Sequence, residues 1–284
     1  MKDRDLAFLL DRSPALEILT ILGSQSRVRL RLVSQSVRCL QLCFSILEEI
    51  LVVDAPRLEK LLLWTTWGYG DESTKCSRIK IGHAPKLRVL GYFQPGEHDL
   101  EIGNTVIKAG TKVSTSTTVS NVQILGLELK FEVRNELKKV PNFLRCFPKV
   151  ETLYIQSAKV YEEPTGKVSL KFWLEGGPIT CIRQHMKKVV LYELQGSRNE
   201  VVFLKFLAER AERLEKMVVV VSCEFMSSGV DVNATLKPLA CAKWANRACK
   251  LQVFKSTLTE GGGPVYDIRL ASEPTRADPL DQIY

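Results

Sequence analysis

Three histidines and eight cysteines are the residues of this 284-residue chain with the widest chemical scope. A metal site needs close ligand pairs that converge on one ion, and a nucleophile needs a base within reach. Neither arrangement is written here. Cys39, Cys43, Cys76, Cys146, Cys181, Cys223, Cys241 and Cys249 are scattered without a CxxC pair, and only Cys39 and Cys43 come near one. They read as buried free thiols that fill a core. His83, His98 and His185 stand in no HExxH, HxE or triad-like context; His83 precedes a proline motif and His185 opens a strand-like stretch. Ser222-Cys223 has no base near it in sequence, and Glu48, Glu49 and Glu193 read as single surface charges. Gly261-Gly262-Gly263 lacks the strand before and helix after that a phosphate-binding loop requires. The expectation is a chain with no catalytic residue, no cofactor and no metal, and no enzymatic activity.

Charge and hydropathy narrow the partners. The net charge is +8, yet Lys and Arg form no run apart from RVRLRL at 27–32. There Arg27, Arg29 and Arg31 alternate with apolar residues, as on a strand with one solvated face. No aromatic platform accompanies them, which argues against nucleic acid. No apolar run reaches the ~18–20 residues of a membrane span. The opening MKDRDLAFLL has no cleavage-site pattern of a signal peptide. Those readings place the chain in the cytosol or nucleus.

The elements carry a repeat. SPALEILTIL (13–22), APRLEKLLLW (55–64), APKLRVLGYF (84–93) and FPKVETLYIQ (147–156) share a proline at the second position and apolar residues at the fourth, seventh and ninth. The reduced frame, three apolar residues spaced three and then two apart, fits Leu16/Leu19/Ile21, Val37/Leu40/Leu42, Leu58/Leu61/Leu63 and Leu87/Leu90/Tyr92. It continues through Val122/Leu125/Leu127, Val150/Leu153/Ile155, Met186/Val189/Leu191 and Leu214/Met217/Val219. Steps of 21, 21, 29, 35, 28, 36 and 28 residues lie at and above the ~20–29 of leucine-rich repeats. The second and third apolar positions fall on one side of a short strand. Stacked in parallel, such strands bury one ladder of leucines that no single repeat could bury. The fold class is therefore α/β: a leucine-rich-repeat solenoid with a concave parallel sheet.

Return segments complete the coils. Helical spacing is present over 4–12, over 134–146 with a break at Pro141, and over 198–216. In the last, Ser197 and Glu200 form a capping-box pattern. Residues 47–56, inside a 21-residue step, read as an extended outer segment. Residues 94–121 read as a surface excursion with a hairpin near Lys108-Ala109-Gly110. Near the end come a helix over 234–247, extended stretches at 251–258 and 265–271 joined as a hairpin through the glycine triplet, and a polar tail from 272.

Residues between and after the core leucines point to the concave face, the surface that solenoids commonly use for binding. Those assigned to it as partner-binding are Leu62, Trp64, Val89, Phe93, Tyr154, Gln156, Lys188 and Tyr192. Its aromatics are the residue type that most often anchors a protein interface.

The repeats with DAPRLEKLLLW and FPKVETLYIQ resemble the leucine-rich part of plant F-box proteins, and CIRQHMKKVVLYELQGSRNEVVFLKFLAERAERLEKMVVVV (181–221) resembles the FBD module of the same proteins. The closing ADPLDQIY is similar to tails of the grass members. The resemblance divides the chain into a repeat solenoid (1–177), a small α/β FBD module (178–258) and a C-terminal hairpin strand with tail (259–284). It implies the substrate-recognition part of a cullin-type (SCF) ubiquitin ligase, presenting an unidentified protein. The family's F-box docks on a Skp adaptor. Here the first repeat proline is already Pro14, and no F-box-like segment precedes it in this sequence. A Skp partner is accordingly implied only where the full-length protein carries an F-box. The alternative is a stand-alone interaction scaffold, uncoupled from ubiquitination.

Overall fold

The repeat prolines build identical corners. In Ser13–Leu16, Ala55–Leu58, Ala84–Leu87 and Phe147–Val150, the fourth residue donates its N–H to the carbonyl of the first, at 3.0, 3.0, 3.1 and 3.3 Å. Proline at the second position pre-sets the φ that such a turn demands. The fourth residue packs against the core, and a strand starts two residues later in all four cases. In this computed structural model the described residues are 3–64, 66–68, 76–160, 165–175, 177–256, 268–273 and 276–281.

The amino-terminal half contains α1 (Asp3–Arg12), β1 (Ile18–Leu22), β2 (Val28–Val33), β3 (Cys39–Cys43), β4 (Ile46–Asp54) and β5 (Lys60–Trp64). It continues with β6 (Trp67–Gly68), β7 (Ser77–His83), β8 (Val89–Phe93), β9 (His98–Ile102), β10 (Thr105–Val106) and β11 (Ile124–Leu129). Then follow α2 (Arg134–Leu137), α3 (Val140–Cys146), β12 (Thr152–Ser157), α4 (Leu170–Leu174) and β13 (Lys188–Leu194). The chain ends with α5 (Arg198–Arg210), β14 (Lys216–Val221), α6 (Cys223–Ser227), α7 (Val232–Ala240), β15 (Lys250–Lys255) and α8 (Ile268–Ser272).

One parallel sheet of nine strands, in the order β1-β3-β5-β8-β11-β12-β13-β14-β15, forms the inner wall. Leu19, Leu40, Leu61, Leu90, Leu125, Leu153, Val189, Met217 and Leu251 are in register across all nine. This ladder is the expected core seam with one further rung, and it crosses from the repeats into the valine-rich segment without a break. At the rim, Glu17, Arg38, Glu59 and Arg88, and again Glu151, Lys187 and Glu215, alternate in sign immediately before their strands. Arg38 pairs with Glu59 at 3.0 Å and Lys187 with Glu151 at 2.8 Å, an arrangement that keeps like charges from facing each other across neighbouring strands.

The outer layer changes with repeat length. In the short repeats the chain returns as strands, giving a second sheet in the order β10-β9-β7-β4-β2, with β6 paired to β4. β4 is the outer segment expected over 47–56. In β2, Val28, Leu30 and Leu32 are buried while Arg29 and Arg31 face out, so RVRLRL is a solvated strand face. Glu48 and Glu49 are not single charges: they pair with Arg29 and Arg78. The longer repeats return as helices. Pro141 lies in the first turn of α3 and separates it from α2, as its missing N–H requires. On α5, Ser197 Oγ accepts the Glu200 N–H at 3.3 Å and Glu200 Oε2 accepts the Ser197 N–H at 2.6 Å. Glu200 is fully buried and also accepts from Gln195 N and Ser157 Oγ, tying the helix cap to β12.

Three expectations are corrected. The hairpin of the excursion is β9–β10, turning at Gly103-Asn104; Gly103 supplies the positive φ of +63°. Lys108–Thr111 is a separate turn. The carboxy-terminal helix is α7, shorter than 234–247. The third correction is the hairpin through the glycine triplet. β15 pairs parallel to β14, and Ile268–Ser272 is helical; the glycines and the rest of 257–267 lie outside the described residues. A segment lying over a sheet face finds no strand edge there, so it satisfies its backbone with its own helical turn.

Candidate functional site

Because the inner strands are in register, their outward side chains form rows across the concave face. One row contains Ile18, Cys39, Lys60, Val89, Ile124, Thr152, Lys188, Lys216 and Lys250. The adjacent row contains Leu62, Tyr154, Val190 and Val218, interrupted by Gly91 and Gly126. These side chains form a cluster separate from the main core. Ala271 and Leu280, from the end of the chain, belong to that cluster. Residues 276–281 of the expected polar tail therefore lie on the concave face, with Pro279 and Leu280 buried.

Each part of this segment meets a matched group. Lys60 is only 5% exposed, and its ammonium donates to the carbonyls of Ala271, Glu273 and Arg276 at 3.4, 2.8 and 2.9 Å. A cation here satisfies carbonyls that the end of α8 leaves unpaired. Burial lowers the Lys60 pKa, and the three carbonyls replace the water it loses. Leu280 sits over two facing glycines. A Cβ on Gly126 would come within 3.0 Å of Leu280 Cδ1, and one on Gly91 within 3.2 Å. Tyr154 donates its hydroxyl to Asp278 Oδ2 at 2.8 Å. Lys188 donates to Tyr154 Oη at 3.1 Å and to Asp281 Oδ2 at 2.6 Å. Burial raises the pKa of both Tyr154 and Asp278, so the tyrosine remains a neutral donor. Arg276 closes the turn, donating to the carbonyls of Asp278 and Asp281.

The structure distributes the sequence-assigned positions as follows. Leu62, Val89, Tyr154 and Tyr192 are buried in the concave cluster, and Trp64 packs at its edge, 5.3 Å from the Tyr92 ring. Lys188 lies on the same face. Gln156 is buried, and its Oε1 has no hydrogen-bond partner among the described residues. Phe93 does not belong to this set. The pairing of β8 with β11 shifts between Leu125 and Leu127, and one extra residue in a strand reverses the alternation beyond it. Tyr92, assigned to the core frame, joins the concave cluster; Phe93 enters the main core, 4.9 Å from the Phe143 ring.

Sequence reasoning missed Lys60, Gly91, Gly126 and the tail residues. The glycines did carry a signal, since an isolated glycine inside a strand marks close approach by other groups. Several of the cysteines are buried. Burial pushes the thiols of Cys146 and Cys181 up to about 12, and Cys39 and Cys43 are buried too, whereas Cys76 and Cys241 are exposed. No group of three metal-ligating side chains occurs among the described residues.

A family model described as "FBD-associated F-box protein At5g56370, LRR repeats" matches residues 1–155. The chain belongs to this family. An FBD model matches residues 175–219, the stretch that contains β13, α5 and most of β14. The family's modules point to protein interaction, and the match agrees with the resemblance read from the repeats. No curated protein and no solved structure matches the chain.

Proposed function

We propose that the chain is the target-recruiting module of a cullin-type ubiquitin ligase and takes a segment of a protein target on its concave face. The observation that carries this reading is that the face already holds a polypeptide segment through side chains on several strands, Lys60, Tyr154 and Lys188 among them. The chain recruits and performs no chemistry of its own. Contact with a Skp adaptor belongs to an F-box, and the site of action is the cytosol or nucleus.

Fusing a Skp-binding F-box segment to the amino terminus tests this. In cells, the fusion should lower the abundance of specific proteins by at least about twofold, and proteasome inhibition should restore them. The unfused chain should capture the same proteins without depleting them. If the unfused and fused chains capture the same partners and neither changes their abundance, the chain is a scaffold uncoupled from ubiquitination. If no protein is captured or depleted, the recruiting role is wrong.

A further inference from the structure

We infer that the concave face is a reader of short acidic segments with a buried leucine, of the Asp-Pro-Leu-Asp kind, and that the chain's own residues 278–281 occupy it in place of a partner's segment. This inference rests on the recruiting role proposed above and specifies its ligand.

Three observations support it. First, the contacts depend on chemistry that a partner could present equally well. The leucine fills a dent made by the absence of two Cβ atoms at Gly91 and Gly126. The flanking carboxylates meet one phenol and one ammonium, Tyr154 and Lys188. A neutral or basic segment would leave Lys188 unpaired against a half-buried surface, which is costly. Second, the recognition surface extends past the segment. Lys216 and Lys250 follow Lys188 in register on the next two strands, and neither forms an ion pair among the described residues. An acidic partner segment continuing beyond the Asp281 position would meet both, adding attraction beyond that of Asp278 and Asp281. Third, Gln156 Oε1 is a buried acceptor without a partner among the described residues, an unmet demand that an N–H of a displacing extended chain would satisfy. Residues 278–281 thus fit the face without pairing Lys216, Lys250 or Gln156 Oε1, as expected for an occupant that a better-matched segment displaces. Tethering gives it a high effective concentration, so the groove stays closed until such a partner arrives.

The test uses the full chain with a specific protease site inserted within residues 257–267, cut after folding. The probe is a fluorescent peptide with the sequence of residues 268–284. The uncut chain should bind it at least tenfold more weakly than the cut chain, from which the severed tail is exchanged. In the cut chain, Lys188→Glu should weaken binding at least tenfold. A peptide with aspartate in place of Leu280, and a scrambled peptide of the same composition, should each compete at least tenfold more weakly. A peptide extended by two glutamates beyond the Asp281 position should bind more tightly than the parent. Equal binding of the scrambled peptide would reduce the surface to a non-selective basic patch and overturn the inference. So would a cut chain that stays folded and retains its tail against excess peptide, or one that unfolds on cutting, since the tail would then be part of the fold. None of these failures bears on target depletion by the F-box fusion, which reads recruitment through any surface.

Discussion

Leu61→Ala is expected to lower the free energy of unfolding by about 2–5 kcal/mol, the range for deleting a large aliphatic side chain from a packed core. Leu61 is fully buried as the second residue of β5, in register with Leu40 on one side and Leu90 on the other. Neighbouring rungs cannot close the void without breaking register with their own neighbours, because each rung is fixed by its strand's backbone ladder. Solenoid stability is a sum of repeat and neighbour terms, so the loss falls on two interfaces at once. Trp64→Ala should cost less, since that ring is only partly buried at the edge of the face. Denaturant titration of the two variants against the parent measures both. A Leu61→Ala midpoint equal to the parent's would refute the assigned core seam.

Acidification provides the second large effect. His98 is completely buried, in edge contact with Phe93 at 5.1 Å. Its Nδ1 accepts the Gln94 backbone N–H at 3.1 Å, so Nε2 carries the ring proton and donates to Thr66 Oγ1 at 3.2 Å. Burial pushes its pKa from 6.5 down to about 3. The unfolded chain therefore binds this proton first, and stability is lost as pH falls from about 6.5 toward 3. Each pH unit in that window costs about 1.4 kcal/mol. Buried Glu200 and Asp278 act in the opposite sense, because burial raises their pKa values. Comparison with His98→Asn isolates the histidine. Between pH 7 and pH 5 the parent should lose about 2 kcal/mol more than the variant. Equal losses would show that the ring is charged or exposed at pH 5.

Much of the inner wall was legible because its spacing repeats. The three apolar positions, repeated eight times and opened by a proline corner in four, fix strand starts, sidedness and register together and average out local irregularity. The outer strands were legible in β2 and β4 because alternation is a local pattern. What was not legible depends on contacts between distant segments. Tyr92 and Phe93 exchanged faces because β8 and β11 slip by one residue beside two glycines, which no single repeat reveals. Residues 268–281 read as the end of a hairpin strand and a polar tail, since the residues that the structure buries, Ala271, Pro279 and Leu280, are too scattered to set a period. Their burial follows only from the glycine dent and the cationic row that the distant strands assemble. The candidate aromatics were placed on the correct face with the exception of Phe93, but the sequence could not say that the end of the chain covers them.

A zero-length carbodiimide cross-link between Lys188 and Asp281 tests the covered concave face most directly. The reagent joins an amine to a carboxylate only when the two touch, and these atoms are 2.6 Å apart. Lys187–Glu151 at 2.8 Å and Lys80–Glu101 at 2.7 Å serve as controls on the rim and the outer sheet. Peptide mapping of the monomeric product should find the 188–281 link together with both controls, and the link should vanish in Lys188→Gln. Control links without the 188–281 link would mean that the tail does not lie on the face and that the concave surface is open.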